Sequence, residues 1–591
     1  MTFSRDKRFL AAVLAALAIG GPLAAAPADD ALADALAALE RGDGVGAEVS
    51  GKRALDEGAS RRQVAAFIGA GELLQGDLAD AREWLGSGEF DPTSEGRGFH
   101  ALARLELAEE NFPAAADAFD FLLSRGHETG LVWVDIGRMR YRAGEHHLAL
   151  DAAYRAVEVD PQEPRALEFL AQLVRDGQGA REALPIFREA IEIAPDDVPM
   201  LAQYAATLGD AGEHKQSLRV IRQLLEKDGR APIGFYLQSV LAARAGEDDL
   251  ARSLWWRTGG EFDDTAAGIA VSGLLEFRSG NFSLAVEHFD DLRRMQPFNI
   301  SAHLMFARAL VANGEANVAL DLLEPLAQRE DASNYVLVLC ARAHEQVGNR
   351  ESAAEFLDRA STITSVSFAP RPAFLSSEMA GVRMNLAHPS AQLREMLMQG
   401  NLAQARAFKE DLLNQFPGSM DVQSLAGDVE LLMGNDQLAL SHYRDAARVR
   451  SNWTLIRRMA YASARQGDMV GARRLLSNYL ALNPRENGAS AMLGRLHREA
   501  GNLPQALLLL QHSAANGAAQ DDPILQSELA ELHAALGNRD EALAAAQKAQ
   551  SLQRGNLRVA GVLARISGDE RVSEALLAKS RGAEAQEITA R

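Results

Sequence analysis

Few residues in this 591-residue chain lie in patterns that support catalysis or metal binding. His146 and His147 are adjacent and follow a predicted turn, where a solvated pair is far more common than a metal site. His344 and Glu345 lack the second histidine that a zinc-binding helix needs. The chain contains no HExxH, phosphate-loop, G-x-S-x-G or EF-hand pattern. We therefore expect a protein without enzymatic activity, and with no cofactor and no metal ion.

Cys340 is the only cysteine of the chain. A single cysteine excludes an intrachain disulfide and a thiolate metal cluster. Cys340 directly follows an apolar run, residues 335–339, and a free cysteine in such a place behaves as a small hydrophobe. We predict a buried structural residue there.

Small residues recur with a step of 34 residues through the first part of the chain. Eight of ten successive steps hold glycine, with Glu110 and Gln178 at the other two: Gly42, Gly76, Gly144, Gly212, Gly246, Gly280, Gly314 and Gly348. Five residues after each step stands an alanine, or in one case Ser217. Small residues at a fixed spacing let two helices approach closely, so this period predicts an array of helical repeats. The glycines then serve turns between helices and are not phosphate-binding loops.

The stretch from Trp133 to Pro161 resembles a tetratricopeptide repeat (TPR), whose pattern runs W-x2-L-G-x2-Y…A-x3-F…P. Trp133, Gly137, Ala149 and Pro161 match it, and Gly144 stands at the turn between the two helices. Three positions depart from the pattern: Ile136, Arg140 and Ala153. The resemblance implies an all-α fold, an α-solenoid superhelix of about sixteen helix-turn-helix units.

A break in the spacing divides the units into two arrays. The next turn glycine, Gly400, lies 52 residues after Gly348, and the intervening stretch contains Pro370 and Pro372, which exclude a regular helix. We predict an N-terminal array of about ten units over 29–361 and a linker or hinge over 362–386. A C-terminal array of about six units then covers 387–580, and 581–591 form a flexible tail.

The N-terminus has the features of a secretory signal peptide. Arg5, Lys7 and Arg8 precede the short apolar run 9–19, and a small-x-small site favours cleavage before Asp29. Residues 1–28 would then be removed and the protein exported, most simply to the periplasm of a bacterium. An uncleaved anchor or a buried first helix is the alternative. We expect no membrane span in the mature chain, because no other apolar segment approaches 18 residues.

The composition restricts the class of partner. The formal net charge is −20, whereas a nucleic-acid binder needs a basic face. We therefore expect other proteins as partners, with an anionic polysaccharide as a further candidate, and no nucleic acid.

In the TPR family the first helix of each unit lines a concave groove, and the family's groove positions can be carried over to this chain. Units seven and eight then supply an apolar floor: Tyr236, Leu237, Val240, Val271, Leu274 and Phe277. The C-terminal array supplies an arginine patch: Arg457, Arg458, Tyr461, Arg465, Arg495 and Arg498. Other units contribute Arg104, Arg138, Tyr141, Arg308 and Arg342.

Two interpretations of the arginine patch are open. Its guanidinium groups could grip carboxylates or phosphates of a partner bidentately, or they could form ion pairs between neighbouring helices. The resemblance to exported TPR proteins implies a non-catalytic scaffold of the cell envelope, in exopolysaccharide synthesis or export or in the assembly of an envelope complex. The alternative is a periplasmic chaperone or a pilus or secretion assembly factor that binds extended polypeptides on the apolar floor.

Overall fold

The computed structural model describes residues 27–577 apart from 298, 329–331, 333, 363–391, 394–395, 397–400, 417, 516–521 and 554–555. These residues form helices and connecting turns, with no strand among them. The helices of the predicted N-terminal array are α1 Pro27–Glu40, α2 Gly44–Asp56, α3 Arg61–Gln75, α4 Leu78–Leu85, α5 Glu95–Ala108, α6 Phe112–Ser124, α7 Gly130–Arg142, α8 His146–Val159, α9 Pro164–Gly177, α10 Ala180–Ile193, α11 Val198–Asp210, α12 His214–Lys227, α13 Pro232–Ala245, α14 Asp248–Trp256, α15 Ala266–Arg278, α16 Phe282–Met295, α17 Ile300–Asn313, α18 Ala316–Ala327, α19 Asn334–Gln346 and α20 Arg350–Thr362.

The helices after the predicted linker pair in the same way. They are α21 Leu402–Gln415, α22 Met420–Leu432, α23 Asp436–Ala447, α24 Trp453–Arg465, α25 Met469–Leu482, α26 Asn487–Glu499, α27 Leu503–Ala514, α28 Pro523–Ala535, α29 Arg539–Leu552 and α30 Leu557–Ser567, and a further helical run covers 570–577. The predicted linker lies almost wholly outside the described residues, as does the signal peptide up to residue 26. Both therefore stay predictions, and so does the tail.

The predicted turn glycines join the two helices of each unit. All of those described have a positive φ, between 74° and 90°, a left-handed conformation that glycine adopts without steric cost. Glu110, at a predicted turn without glycine, also has a positive φ, of 60°. The prediction for the fifth unit was wrong by one residue, because Gln178 remains right-handed and Gly179 takes the positive φ of 115°.

In the helix hairpins, small residues on one helix pack against larger residues on the other. The alanine or serine five residues after the turn is buried in every described unit, from Ala47 at 0% exposure to Ser573 at 2%. The residue nine positions after the turn lies on the second helix. It packs against the residue seven positions before the turn, on the first helix. Where that earlier position is glycine, the partner is large, as with Gly273 and Phe289 or Gly494 and Leu510. The close approach that the spacing predicts is therefore confirmed.

Gly427 gives a direct test of this packing. A Cβ on Gly427 would overlap the ring of Tyr443, which is fully buried and donates a hydrogen bond to Asp428 over 2.8 Å, so the ring cannot retreat. We expect Gly427→Ala to lower the free energy of unfolding by about 1–3 kcal/mol in a urea titration. Gly418→Ala is the control, because its Cβ would meet its nearest atom at 3.7 Å. Equal losses in the two variants would contradict this packing.

The described chain divides into two compact units. The first contains the residues up to Ala143 together with Asp151–Pro161, and the second contains Gly144–Leu150 and everything from Gln162 onward. The helices of both predicted arrays thus share the second compact unit. Each unit is a stack of consecutive helix hairpins, and each buries its own apolar side chains between them.

Within the second compact unit, loops and helix ends of the C-terminal array contact helices of the N-terminal array. A Cβ on Gly177 would lie 2.6 Å from the carbonyl oxygen of Val449, so only glycine allows this approach. The Arg181 guanidinium donates to the Ala481 carbonyl oxygen over 3.1 Å, and the backbone N–H of Met420 donates to Nδ1 of His146 over 3.1 Å. The 34-residue period describes neighbours along the chain and therefore could not predict these contacts.

The His146 contact predicts a pH dependence. Burial lowers the pKa of His146 from its ordinary value of about 6.5, and the nearby positive charges of Arg450 and His147 add to the effect. The unfolded chain binds this proton more readily than the folded one. Stability is therefore full above about pH 6.5 and falls as the pH drops from there towards the lowered pKa.

The measurement is thermal unfolding above and below about pH 6.5. We expect a lower melting temperature on the acid side, and a smaller decrease in His146→Asn, whose side-chain oxygen can accept the same hydrogen bond without titrating. Burial also lowers the pKa of His214 and His442, so the variant removes only part of the loss. A pH dependence unchanged by His146→Asn would contradict the assignment.

Candidate partner-binding surface

The residues predicted for the groove all lie on the first helix of a unit. Arg104 is on α5, Arg138 and Tyr141 are on α7, Tyr236 is on α13, Val271 and Phe277 are on α15, Arg308 is on α17, Arg342 is on α19, Arg457, Arg458, Tyr461 and Arg465 are on α24, and Arg495 and Arg498 are on α26. Their surroundings divide them into three groups, which we describe separately. That they bind a partner stays a prediction.

The first group surrounds Asp135 in the first compact unit. His100 Nε2 lies 2.9 Å from Asp135 Oδ2, and the guanidinium groups of Arg104 and Arg138 lie 3.7 and 3.6 Å from the same carboxylate. Burial alone would raise the pKa of Asp135, but the hydrogen bond from His100 and the two arginines lower it. Both arginine side chains remain about half exposed. Asp135 on α7 thus holds His100 and Arg104 of the preceding repeat unit close to Arg138.

The second group is the apolar floor in the second compact unit. Tyr236 is half-buried, with its ring centroid 4.8 Å from that of Phe262, and Val271 packs on a cluster that includes Ala251 and Leu275. Phe277 is also half-buried, and the Arg308 guanidinium carbon lies 4.5 Å from the centroid of its ring. This distance is that of a cation–π contact. Leu237 of the predicted floor is buried, so its place on an accessible surface was wrongly predicted. The rest of the floor presents partly exposed aromatic and aliphatic side chains beside one arginine.

The third group is the arginine patch of the C-terminal array, and most of its arginines form ion pairs with carboxylates. Arg458 lies 3.2 Å from Asp428, Arg465 lies 3.2 Å from Asp436, and Arg495 Nε lies 3.0 Å from Glu528. Arg498 lies 3.5 Å from Glu528 and 3.7 Å from Glu531. The interpretation as ion pairs between helices therefore matches Arg458, Arg465, Arg495 and Arg498.

Burial makes two of these pairs structural. The side chains of Asp428 and Glu528 are 2% and 0% exposed, so each would be an uncompensated buried charge without its arginine. Burial alone would lower the pKa of Arg495, but the charge of Glu528 outweighs this effect and the pKa is raised. An anionic partner would have to compete with a carboxylate that is already in place.

The remaining predicted residues are exposed or half-buried. Arg457 is exposed, and Tyr461 is half-buried beside Arg465, whose guanidinium carbon lies 5.6 Å from the ring centroid. Arg342 is exposed and donates to the Leu552 carbonyl oxygen over 3.5 Å. Tyr141 is half-buried on α7.

Sequence reasoning missed two buried acids on the first helices of their units. Glu106 and Glu430 each stand four residues before a turn and accept a hydrogen bond from Asn111 and Asn435, respectively, the residue after that turn. Glu430 is fully buried and pairs with the buried Lys409 over 2.6 Å. A glutamate at this position followed by an asparagine is a sequence signal that could have found them.

The expectation of a solvated histidine pair was wrong for His146, which is buried and accepts a hydrogen bond from the Met420 backbone. Cys340 is fully buried, as predicted, and burial raises the pKa of its thiol to about 12. Over the described part of the chain, no group of three or more histidine, cysteine or acidic residues is placed to hold a metal ion. No helix in that same part is long and apolar enough to cross a membrane.

Comparisons with known proteins agree with the repeat assignment. The family model described as "Tetratricopeptide repeat" matches residues 100–164 and 135–198, which include the Asp135 group. No curated protein matches the chain. The helix hairpins of each compact unit thus form an all-α solenoid of TPR units, a fold whose extended surfaces bind other proteins.

Solved structures with similar folds match at low identity. The human IFIT1 dimer with m7Gppp-AAAA is 14% identical over 84% of this chain and 96% of its own, with a TM-score of 0.33. The APC/C hetero-tetramer Cut9–Hcn1 is 15% identical over 94% of this chain and 98% of its own, with a TM-score of 0.25. YrrB, a TPR protein with an unusual peptide-binding site, is 18% identical over 31% and 93%, with a TM-score of 0.28. These values carry no argument about what this chain binds. The family match over 100–198 assigns that part of the chain to the tetratricopeptide repeats.

Proposed function

We propose that this chain is an exported scaffold of the cell envelope that binds an extended polypeptide segment of a partner protein on the apolar floor. The supporting observation is the partial exposure of Tyr236, Val271 and Phe277, with Arg308 stacked on Phe277. Aromatic and aliphatic side chains of this kind dominate the energetics of protein interfaces, and arginine is the charged residue most enriched beside them.

A polypeptide is favoured over an anionic polysaccharide because of the state of the arginine patch. Arg458 and Arg495 are held by carboxylates that are almost fully buried, so releasing them to a polysaccharide would leave Asp428 and Glu528 unpaired. A role in exopolysaccharide synthesis or export would then come through contact with a protein of that machinery. A chaperone of exported polypeptides would use the same floor with less selectivity.

The envelope location rests on the N-terminal signal sequence. We expect the mature protein to begin at Asp29 and to appear in the periplasmic fraction, as shown by N-terminal sequencing of the protein recovered from cells. A chain recovered from the cytoplasm with residues 1–28 intact would contradict export. The partners are proteins rather than nucleic acids under this proposal, in keeping with the net charge of −20.

The binding test is an array of extended peptides that differ in apolar and charged content. We expect peptides with aromatic and aliphatic side chains to bind, with little change in affinity between low and high salt, since the contact is mostly apolar. Binding restricted to acidic peptides or to anionic polysaccharide, with a steep loss of affinity at high salt, would contradict the proposal. It would favour binding of an anionic partner by the arginine patch.

A further inference from the structure

A cleft of about 490 Å³ lies in the second compact unit, beside the apolar floor but lined by none of the floor's residues. It is formed by α12, α13 and α14 of the N-terminal array and by one residue of the loop that follows α25. The residues that line it are His214, Leu218, Gln238, Leu241, Ala242, Arg244, Ala245, Glu247, Leu250, Leu254 and Arg485. Its volume is within the range of about 300–1,000 Å³ that is usual for small-molecule sites.

The walls of the cleft are apolar side chains that project from helices. Leu218, Leu241 and Leu254 are half-buried, and Leu250 is 53% exposed. The backbone N–H and C=O groups in the middle of these helices already bond to each other, so they offer no partners to the amides of a peptide. A peptide backbone buried here would lose its hydrogen bonds to water without replacement. The walls therefore favour an alkyl chain.

Two arginines stand at the edge of this apolar space. Arg485 is half-buried and contacts the ring of His214, and it forms no ion pair with any described residue. Arg244 pairs over 3.1 Å with the exposed carboxylate of Asp210. Burial lowers the pKa of Arg485 and the positive charge of Arg244 lowers it further, while the carboxylate of Asp210 only partly opposes them. Glu247 also lines the cleft but is exposed at the turn, where water screens its charge.

We propose that this cleft binds a fatty-acid-type amphiphile, with its alkyl chain between Leu218, Leu241 and Leu254 and its carboxylate at Arg485 and Arg244. A carboxylate accepts two parallel hydrogen bonds from a guanidinium group, and it relieves the repulsion between the two arginines. The alkyl chain covers leucine side chains that otherwise face water. This site is separate from the apolar floor and goes beyond the proposed scaffold function.

The test is calorimetric titration of the full mature protein with dodecanoate. We expect saturable binding at one site, weaker by about tenfold or more in Arg485→Gln and lost in Arg485→Glu. Arg474→Gln is the matched control, because Arg474 is an exposed arginine on α25 outside the cleft and should leave affinity unchanged. Ala245→Phe should abolish binding by filling the cleft while circular dichroism shows an intact helical fold.

One uncharged probe and one cationic probe test whether binding depends on the carboxylate of dodecanoate. Dodecanol should bind more weakly than dodecanoate, and dodecyltrimethylammonium should not bind, because the arginines repel its head group. Equal binding of the three probes would mean non-specific association and would overturn the proposal. So would unchanged affinity in Arg485→Glu, or binding of a short peptide with an apolar C-terminal residue in place of dodecanoate. None of these outcomes depends on whether the apolar floor binds a polypeptide.

Discussion

Replacing Glu528 by leucine should lower the free energy of unfolding by about 3–5 kcal/mol, the largest stability effect we expect in the C-terminal array. The Glu528 side chain is fully buried, and its two oxygens accept from Arg495 over 3.0 and 3.2 Å. Arg498 lies 3.5 Å from the same carboxylate. Without Glu528, the half-buried Arg495 loses the carboxylate to which it donates. The measurement is loss of helical circular dichroism in urea, with hydrogen exchange in α26 and α28 to locate the loss.

Two further variants separate the ion pair from simple packing. Glu531→Leu removes a carboxylate that is 28% exposed, so we expect a change of no more than about 1 kcal/mol. The double variant Glu528→Leu with Arg495→Met removes both charges of the pair and should recover most of the stability, because neither member is then left without the other. Equal stability of Glu528→Leu and the wild-type protein would contradict a structural role for the arginine patch.

Replacing Phe277 by glutamate should weaken binding of a polypeptide partner by about thirtyfold or more, the loss expected at the centre of an interface. The change removes a half-exposed aromatic ring and the face on which Arg308 stacks, and it places a carboxylate in the apolar floor. The measurement is the affinity of fluorescent apolar peptides. Leu284→Glu is the matched control, since Leu284 is 46% exposed on α16, the second helix of the same repeat.

A test of partner binding by the arginine patch needs a variant that leaves its buried ion pairs intact. Arg458→Glu and Arg495→Glu would place a second acid against Asp428 and Glu528, so a loss of binding in these variants could come from unfolding. Arg457 is exposed, and Arg457→Glu therefore tests the patch with less risk to the fold. We expect it to leave peptide affinity unchanged. A loss in Arg457→Glu together with normal affinity in Phe277→Glu would favour the anion-binding alternative.

The helix hairpins could be predicted well from the sequence because the residues that determine them lie within one repeat unit. A turn glycine with positive φ, a buried alanine five residues later and a large side chain nine residues later are all consequences of helix geometry within one unit. Pro161 also stands where predicted, two residues after the end of α8. The one displaced turn, at Gly179, shows the limit of a fixed step.

The charges and long-range contacts were less predictable, for physical reasons. The groove positions of the TPR family predict on which helix face Arg495 lies. They do not predict that the buried Glu528, on a helix of the next unit, lies opposite it. The approach of Gly177 to Val449 joins parts of the chain that no repeat period relates. The cleft at Arg485 arises from the same contacts between arrays, so it could not be read from either array alone.

Photocrosslinking in intact cells tests the central claim most directly. A photoreactive amino acid would replace Val271 in the apolar floor, and in separate strains Arg457 in the arginine patch and the exposed Val470 as a control surface. The account predicts crosslinks from position 271 to one or a few envelope proteins, which disappear with Phe277→Glu, and none from position 470. Crosslinks from position 457 alone, or from position 271 only to cytoplasmic proteins, would contradict it.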